Sequence, residues 1–510
     1  MSDASGPETD ELGGLEALIA SRRSKLARLR DAGIDPFPGR TQRSHTSAEA
    51  HAAFLALEAE GETEGPEGVM LAGRLVGGVR HFGGSSFVHL RDGSGELQLH
   101  LRRNRLGDEA FERFKAEFDA GDWVSASGSL FRTRAGEVSL AVDGIRMLAK
   151  SLLPLPQKYE GDALKDVETR FRQRYLDLLS NAESRARFVT RSRIVSAMRR
   201  FLDGRGFLEV ETPILQPIYG GGSAEPFTTH YQALEQTMYL RIADELYLKR
   251  LLVGGFERVY EISKDFRNEG VDRTHVPEFT MMECYWAFAD YLQMMDLTEA
   301  MIVGICTEVN GDTVVEIEGR PLDLGAPWRR ITVRQAILDA TGIDIEASWG
   351  DLEGLRAAIR ARGIHCDPQP TWAKTVDELI GEQVEPAVWE PIFLMDYPVA
   401  LSPLAKRKAD DPRYVERFEP LVAGFELGNC FTELNDPIDQ RARFEEMAEH
   451  RAAGDTEAQP IDEDFLTAME HGMPPAGGLG IGIDRLVMIL TGTVNIRDVV
   501  LFPQLRQRGG

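Results

Sequence analysis

Two alternating segments joined by a polar loop constrain this chain most, and they lie within residues 256–286 (FERVYEISKDFRNEGVDRTHVPEFTMMECYW). Apolar and polar side chains alternate along 259–266 and again along 278–286, which is the period of a β-strand. The stretch between them contains Gly270 and Asp272, residue types that favour turns. The pattern predicts an antiparallel hairpin with a long loop.

One face of this predicted hairpin is unlike a core face. Because side chains repeat with a period of two along a strand, Phe279, Glu283 and Tyr285 project from the same side. Arg267 ends the first strand and offers a planar set of donors for phosphate or carboxylate. Together, these residues can bind a nucleotide. The alternative is a hairpin with a polar exposed face, which any one of the residues alone would favour.

Three short motifs place the hairpin in a known context. FRNEG followed by HVPEFTMMECY resembles motif 2 of class II aminoacyl-tRNA synthetases, FLEVETPILQ with Pro213 resembles motif 1, and GLGIGIDR with Arg485 resembles motif 3. The resemblance covers nearly the whole chain. The sequence around the three motifs is similar in particular to lysyl-tRNA synthetase of the bacterial type. This resemblance implies an ATP-dependent ligase that activates L-lysine as lysyl-adenylate and transfers it to the 3′ end of tRNA(Lys).

Composition limits the other functional classes. The 510 residues include 82 acidic and 58 basic side chains, a net charge of −24, which argues against a surface that binds nucleic acid everywhere. Four scattered cysteines without a CxxC pair suggest neither a disulfide framework nor a zinc site. An acidic start and the absence of a long apolar run predict a cytosolic protein with no membrane contact.

We expect an α+β protein built from four segments. Residues 1–66 form an extension whose start, to about residue 14, is disordered and is followed by a helix. Residues 67–150 carry five β-like runs with a helical insert after the third, which favours an OB-fold barrel. Residues 151–180 have the composition of a linker. Residues 181–510 form the catalytic domain, with a helical insertion near 331–390.

The resemblance adds two expectations for the catalytic domain. Its sheet should be mostly antiparallel, and the helix and strand of motif 1 should form the interface of a homodimer. The alternative for that helix is packing on its own sheet.

The predicted barrel carries residues suited to single-stranded nucleic acid. Phe87 and Gln98 lie on neighbouring strands after Arg80, so an aromatic ring can stack on a base while the amide and guanidinium contact its edge. OB folds also bind saccharides and proteins. For Phe87 itself, the alternative is a position in the barrel core. The resemblance implies that Arg80, Phe87, Gln98 and Glu137 bind the lysine anticodon.

Three glutamates fall seven residues apart between 417 and 436. Glycines in this segment argue against a helix, although Glu419, Glu426 and Glu433 would share one helical face. As a strand, the segment places Glu433 with Asn429 and Phe431, and puts Glu426 on the opposite face unless a bulge intervenes; we expect that bulge.

Several carboxylates beside a triphosphate require a divalent cation between them, and oxygen ligands suit Mg²⁺. The resemblance implies that Glu419 and Glu426 are the magnesium ligands, with up to three ions per subunit when ATP is bound. It also makes Arg267 and Arg485 the catalytic residues. Further residues implied to bind ATP are Glu269, His275 and Phe279, and those implied to bind lysine are Gly221, Glu245, Glu283, Tyr285, Asn429, Phe431 and Glu433.

Two glycine-rich segments and two carboxylates refine this assignment. Residues 219–223 (YGGGS) lack the GKS or GKT of a P-loop, and residues 478–482 read GxGxG rather than GxGxxG, so neither predicts a familiar nucleotide loop. Glu283 and Glu433 converge on one end of an aromatic cleft, where a cation must join them. A lysine ammonium supplies that cation.

Three other functions share parts of this pattern. A lysine ligase acting on a translation factor would lack the barrel, and an aspartate or asparagine enzyme of the same class would need a cationic pocket. A catalytically inactive tRNA-binding relative would have lost the arginines and glutamates that are present. Asp244, Cys284 and Cys430 depart from the family's pattern beside the pocket.

Overall fold

The computed structural model describes residues 8–62, 65–156, 164–452 and 459–506. Contacts divide the chain into two units, Met1–Asn181 and Ala182–Gly510. Within the described ranges, no helix is both long enough and apolar enough to cross a membrane.

A closed five-stranded barrel dominates the first unit. Its strands are β1 Val69–Phe82, β2 Ser85–Arg91, β3 Glu96–Arg102, β4 Trp123–Arg132 and β5 Val138–Ala149, in the order β1-β2-β3-β5-β4. Alternate side chains point inward and are apolar, as a half-buried strand requires. The helices α3 (Arg103–Leu106) and α4 (Asp108–Glu117) lie between β3 and β4. The predicted OB-fold barrel is confirmed.

Two expectations for the first unit need correction. Helix α1 spans Glu8–Asp31, so residues 8–14 are helical rather than disordered, since extending a helix costs little once it has formed; residues 1–7 lie outside the described ranges. A second helix, α2, spans Ser47–Ala59. The predicted linker 151–180 contains α5 (Val167–Arg172) and α6 (Arg174–Ser180), because the buried ion pair of Arg174 with Asp177 orders its second half.

The second unit contains the remaining helices and strands. Its helices are α7 Ala182–Asp203, α8 Glu245–Val253, α9 Tyr291–Asn310, α10 Val333–Thr341, α11 Leu352–Arg362, α12 Trp372–Leu379, α13 Pro437–Ala452, α14 Glu463–Glu470 and α15 Ile483–Leu490. Its strands are β6 Leu208–Glu209, β7 Leu215–Gln216, β8 Thr228–Tyr231, β9 Gln236–Leu240, β10 Arg258–Phe266, β11 Glu278–Ala287, β12 Val314–Ile317, β13 Arg320–Asp323, β14 Arg329–Thr332, β15 Ile392–Pro398, β16 Tyr414–Val422, β17 Phe425–Glu426, β18 Gly428–Thr432 and β19 Ala476–Gly482.

One large sheet organises this unit, in the order β14-β15-β16-β18-β19-β11-β10-β6. Within the described part of this sheet, only the outermost pairs, β14 with β15 and β6 with β10, are parallel, so the expected mostly antiparallel sheet is confirmed. Helices α7, α9 and α15 supply apolar side chains to a core on one face of the sheet. The other face is left for the candidate site.

The centre of the sheet is the glycine-rich strand β19. It pairs with β11 on one side and β18 on the other, so that Gly478 lies between Tyr285 and Phe431. Strands β11 and β18, which carry Glu283, Tyr285, Asn429 and Phe431, are therefore both neighbours of one glycine-rich strand.

Candidate functional site

Strands β10 and β11 form the predicted antiparallel hairpin. Their register pairs Glu261 with Glu283 and Asp265 with Phe279. Arg267 follows β10 directly, and its backbone N–H donates to Pro277 O at 3.0 Å, which closes the loop. The register thus places Arg267 beside the aromatic end of β11.

Arg267 and Phe279 form one corner of the site. The guanidinium carbon of Arg267 lies 5.2 Å from the centre of the Phe279 ring, a cation–π distance. Gly222 faces the same group, since a Cβ at that position would lie 3.8 Å from Nη2 of Arg267. A glycine there leaves room for a ligand to approach the guanidinium.

Arg485, at the start of α15, forms a second corner. Its Nη1 donates to the carbonyl oxygen of Glu426 at 2.7 Å and to Oε2 of Glu426 at 3.1 Å, and its Nη2 lies 3.2 Å from Nε2 of His275. Burial acts to raise the pKa of Asp272, but hydrogen bonds from Thr274 and His275 outweigh it and lower that pKa to about 2. Asp272 therefore stays ionised and orients His275.

Glu269 lies exposed in the same loop between β10 and β11. Its side chain makes no hydrogen bond or ion pair with another described residue.

Glu419 and Glu426 are brought together by the expected bulge. Leu421 pairs with Glu426 and Phe418 pairs with Cys430, so three residues of the second segment oppose two of β16. Glu419 accepts hydrogen bonds from Tyr397 and, at 2.6 Å, from Arg417. Burial raises the pKa of Glu419 to about 8; Arg417 opposes this and the negative charge of Glu426 adds to it.

The two glutamates fit the magnesium ions that the resemblance implies. Burial and a neighbouring carboxylate both disfavour a charged Glu419, and a divalent cation between Glu419 and Glu426 would offset both effects. The donor set contains only oxygen, as Mg²⁺ requires. Arg417 also donates from Nε to Asn429 Oδ1 at 3.0 Å, which links the two predicted groups of ligands.

The predicted amino-acid pocket is strongly acidic and buried. Glu245 and Glu433 both form ion pairs with the fully buried Lys249. Nζ of Lys249 lies 5.3 Å from the centre of the Phe431 ring. Burial acts to lower the pKa of Lys249, but the two glutamates outweigh it and raise that pKa above its ordinary value. Lys249 is therefore a charged group inside the pocket.

Glu283 occupies a separate position in this pocket. Tyr285 Oη donates to its Oε2 at 3.1 Å, and the backbone N–H of Asp244 donates to its Oε1 at 3.2 Å. Burial, together with Asp244, Asp265 and Glu245 nearby, raises the pKa of Glu283 well above its ordinary value. These surroundings favour the protonated form of Glu283, whereas a cationic ligand beside it would favour the ionised form.

A second buried cation, Arg241, organises the surroundings of Glu283. It lies 2.9 Å from Asp244, 2.8 Å from Glu261 and 3.2 Å from Asp265. Carboxylate oxygens of Asp244, Asp265 and Glu283 lie within 4.8 Å of one another. Sequence reasoning missed the role of Arg241 as well as those of Lys249 and Arg417. Only Arg417 had a signal, since it shares strand parity with Glu419.

Glycines shape the floor and wall of the pocket. A Cβ at Gly478 would overlap Oε1 of Glu433 and would lie 2.5 Å from the Tyr285 ring. Gly221 has a φ of +85°, and a Cβ there would lie 2.9 Å from Cβ of Glu245. Cys284 and Cys430, by contrast, belong to the apolar core on the other face of the sheet, so they do not line the pocket.

The predicted anticodon residues lie on one side of the barrel in the first unit. Phe87 is half-buried and stacks on His100, with ring centres 4.2 Å apart and planes 12° apart. It does not belong to the described apolar core of the barrel. Arg80 is exposed and pairs in register with Phe87. Burial, with Arg102 nearby, lowers the pKa of His100 to about 4, so its ring is neutral at physiological pH.

Gln98 and Glu137 belong to a polar hollow on this barrel. Gln98 Nε2 donates to Glu137 Oε2 at 2.6 Å, and Ser139 donates to Gln98 Oε1 at 2.9 Å. His89 Nε2 lies 2.8 Å from Glu137 Oε1. The hollow has a volume of about 360 Å³. It is large enough for a single base and offers it hydrogen-bonding groups.

Comparison with known proteins agrees with both units. Residues 166–506 match the family described as tRNA synthetases class II (D, K and N), and residues 69–148 match the OB-fold nucleic acid binding domain. The chain belongs to the class II tRNA synthetases of this D, K and N family.

The similar curated proteins are lysine–tRNA ligases. The chain is 56% identical over 494 residues to that of Chloroflexus aurantiacus, covering 97% of this chain and 99% of the relative. It is 57% identical over 494 residues to that of Roseiflexus castenholzii, with the same coverage. To that of Pelotomaculum thermopropionicum it is 49% identical over 509 residues, covering 100% of this chain and 98% of the relative.

Proposed function

We propose that the protein is a lysine–tRNA ligase, which activates L-lysine with ATP, releases pyrophosphate and transfers the lysyl group to tRNA(Lys). The observation that carries this proposal is the acidic pocket. Glu245, Glu283 and Glu433 are all buried in it, and Lys249 is ion-paired with Glu245 and Glu433. Within a family that covers aspartate, lysine and asparagine, only lysine has a side chain whose charge complements this pocket. The near-full-length similarity to lysine–tRNA ligases supports the same conclusion.

The activation step brings two anions together. A carboxylate oxygen of lysine attacks the α-phosphorus of ATP. The bond between that phosphorus and pyrophosphate breaks, and pyrophosphate leaves with its electron pair. Arg267 is suited to contact both the carboxylate and the α-phosphate while Phe279 stacks on adenine. Glu269 and His275 bind near adenine and the phosphates.

The leaving pyrophosphate is held at the other corner of the site. Arg485, fixed by its hydrogen bonds to Glu426, supplies a cation for the terminal phosphate. Magnesium held by Glu419 and Glu426, in up to three ions per subunit, would offset the negative charge of the triphosphate when bound. No side-chain nucleophile is required.

Transfer needs tRNA at both units. The terminal ribose hydroxyl attacks the lysyl carbonyl, and AMP leaves. In the barrel, Phe87 would stack on an anticodon base, with Arg80, Gln98 and Glu137 contacting base edges. The presence of this barrel disfavours a ligase that acts on a translation factor.

A homodimer is proposed from the segment that resembles motif 1. Val189 on α7, Leu208 on β6 and Ile214 just beyond it are large apolar side chains with 56%, 49% and 43% of their surface exposed. Large apolar side chains exposed along one segment suit a surface that a second copy covers.

Pyrophosphate exchange with ATP, measured with each of the twenty amino acids, tests this function. Exchange should depend on lysine and stop in excess chelator, because Glu419 and Glu426 need a divalent cation. Exchange supported by aspartate or asparagine instead would refute the proposal, and exchange that persists in chelator would refute the magnesium ligands.

A further inference from the structure

Lys249 is a buried cation for which the proposed reaction has given no role. It belongs to α8, four residues after Glu245, and its ammonium lies between Glu245 and Glu433 above the Phe431 ring. Helical spacing explains the contact with Glu245, but the contact with Glu433 joins residues that are far apart in the chain. Both partners are buried, so water does not screen the three charges.

The pocket's charge balance depends on this side chain. Of the residues predicted to bind lysine, Glu245, Glu283 and Glu433 contribute three negative charges when ionised, and Lys249 removes one of them. The remaining two match the α-ammonium and ε-ammonium groups of a bound lysine, while Arg267 is available for its carboxylate. Without Lys249, two ammonium groups would face three buried carboxylates, and one carboxylate would be left uncompensated.

One carboxylate oxygen of Glu433 remains available to a ligand while Lys249 is bound to the other. Lys249 engages Oε2 of Glu433, whereas Oε1 of Glu433 is buried against Gly478 and Tyr285 and has no hydrogen-bond donor among the described residues. Such an oxygen is costly to bury unless a donor arrives. A ligand ammonium can supply that donor without displacing Lys249.

We propose that Lys249 is a positioning and specificity-determining residue: it sets the charge of the amino-acid pocket so that the pocket accepts two ammonium groups. This inference rests on the proposed lysine–tRNA ligase function. Lys249 acts through Glu245 and Glu433 and does not contact the reacting atoms.

A double substitution tests this charge count. Lys249→Met should improve lysine use in the Glu433→Gln variant and impair it in the otherwise unchanged protein. Glu433→Gln leaves Lys249 with excess positive charge beside the ligand, and should raise the KM for lysine at least about tenfold. Adding Lys249→Met should then lower that KM, because Glu245 and Glu283 again supply two negative charges. In the otherwise unchanged protein, Lys249→Met alone should reduce kcat/KM for lysine. The KM for ATP should change by less than about twofold in each case.

Lys150 provides the matched control. It is also buried between two carboxylates, 2.5 Å from Asp119 and 2.8 Å from Asp122, but it belongs to the first unit. Lys150→Met should lower the melting temperature and leave the KM for lysine unchanged. If Lys249→Met with Glu433→Gln does not fold, Lys249→Gln with Glu433→Gln carries the same charges with an amide pair that can hydrogen-bond.

Lysine-dependent pyrophosphate exchange measures every variant. A lower KM for lysine in the double variant than in Glu433→Gln supports the inference, and an equal or higher KM overturns it. The unsubstituted protein separates the two proposals: if it shows no lysine-dependent exchange, the proposed function fails, whatever the variants do.

Discussion

A single methyl group on β19 should damage lysine binding selectively. In Gly478→Ala, the added Cβ would occupy the position of Oε1 of Glu433 and would lie 2.5 Å from the Tyr285 ring, about an ångström inside an ordinary contact. Gly478 lies in a strand between two paired neighbours, so the backbone has little freedom to move away. The Glu433 carboxylate and the Tyr285 ring must move instead.

The displacement sets the magnitude of the effect. Moving the Glu433 carboxylate weakens its ion pair with Lys249 and its contact with the ligand ammonium. A charge-assisted hydrogen bond contributes about 1.5–3 kcal/mol, so the KM for lysine should rise by about 10- to 150-fold. Crowding should also lower the free energy of unfolding by about 1–3 kcal/mol.

Two neighbouring glycines separate pocket damage from general strain. A Cβ at Gly480, on the same face, would lie 3.7 Å from Glu283 and from Met281, an ordinary contact, so Gly480→Ala should leave the KM for lysine nearly unchanged. A Cβ at Gly477 would lie 2.5 Å from Met294 in the core, so Gly477→Ala should lower stability without selective loss of lysine binding. Exchange kinetics at saturating ATP, with thermal melting, check all three. Equal lysine KM values for the substitutions at 478 and 480 would refute this reasoning.

Three other outcomes are expected. Arg267→Ala should lower exchange at least about a hundredfold while the melting temperature stays within a few degrees, because its guanidinium serves the reaction; a variant that unfolds would mean a structural role. Phe87→Ala should weaken tRNA affinity by about 1–3 kcal/mol in a binding titration and leave lysine-dependent exchange unchanged; equal loss in both assays would place Phe87 in the fold. Burial and the neighbouring carboxylates raise the pKa of Glu283 above its ordinary value, so a bound ammonium competes with a proton there, and the KM for lysine should fall as pH rises through the range in which Glu283 titrates. A flat profile in the unsubstituted protein, or an unchanged slope in Glu283→Gln, would contradict that assignment.

Local patterns were sufficient for the elements of this site. Strand alternation predicted the hairpin of β10 and β11, and the parity conflict at Glu426 predicted the bulge, because both follow from a period of two along the chain. The five β-like runs predicted the barrel for the same reason.

The buried charges could not be predicted in this way. Glu245 and Lys249, four residues apart on a helix, are typical of a solvated surface pair. Only the packing of α8 against the sheet buries Lys249 and brings it to Glu433. Arg241 likewise reads as one basic residue after a strand, and its contacts with three carboxylates depend on the pairing of β10 with β11. The expectation that a bound lysine alone joins Glu283 and Glu433 therefore omitted a cation that the protein already provides.

The position of β19 has a consequence for how the protein is made. This strand lies between β11 and β18, yet it follows both in the chain, so a growing polypeptide emerges with both strands before their common partner exists. Until β19 arrives, each presents an unpaired edge of N–H and C=O groups, which is a template for pairing with other chains. The second unit should therefore complete its sheet late in synthesis, and it should need protection from aggregation during translation.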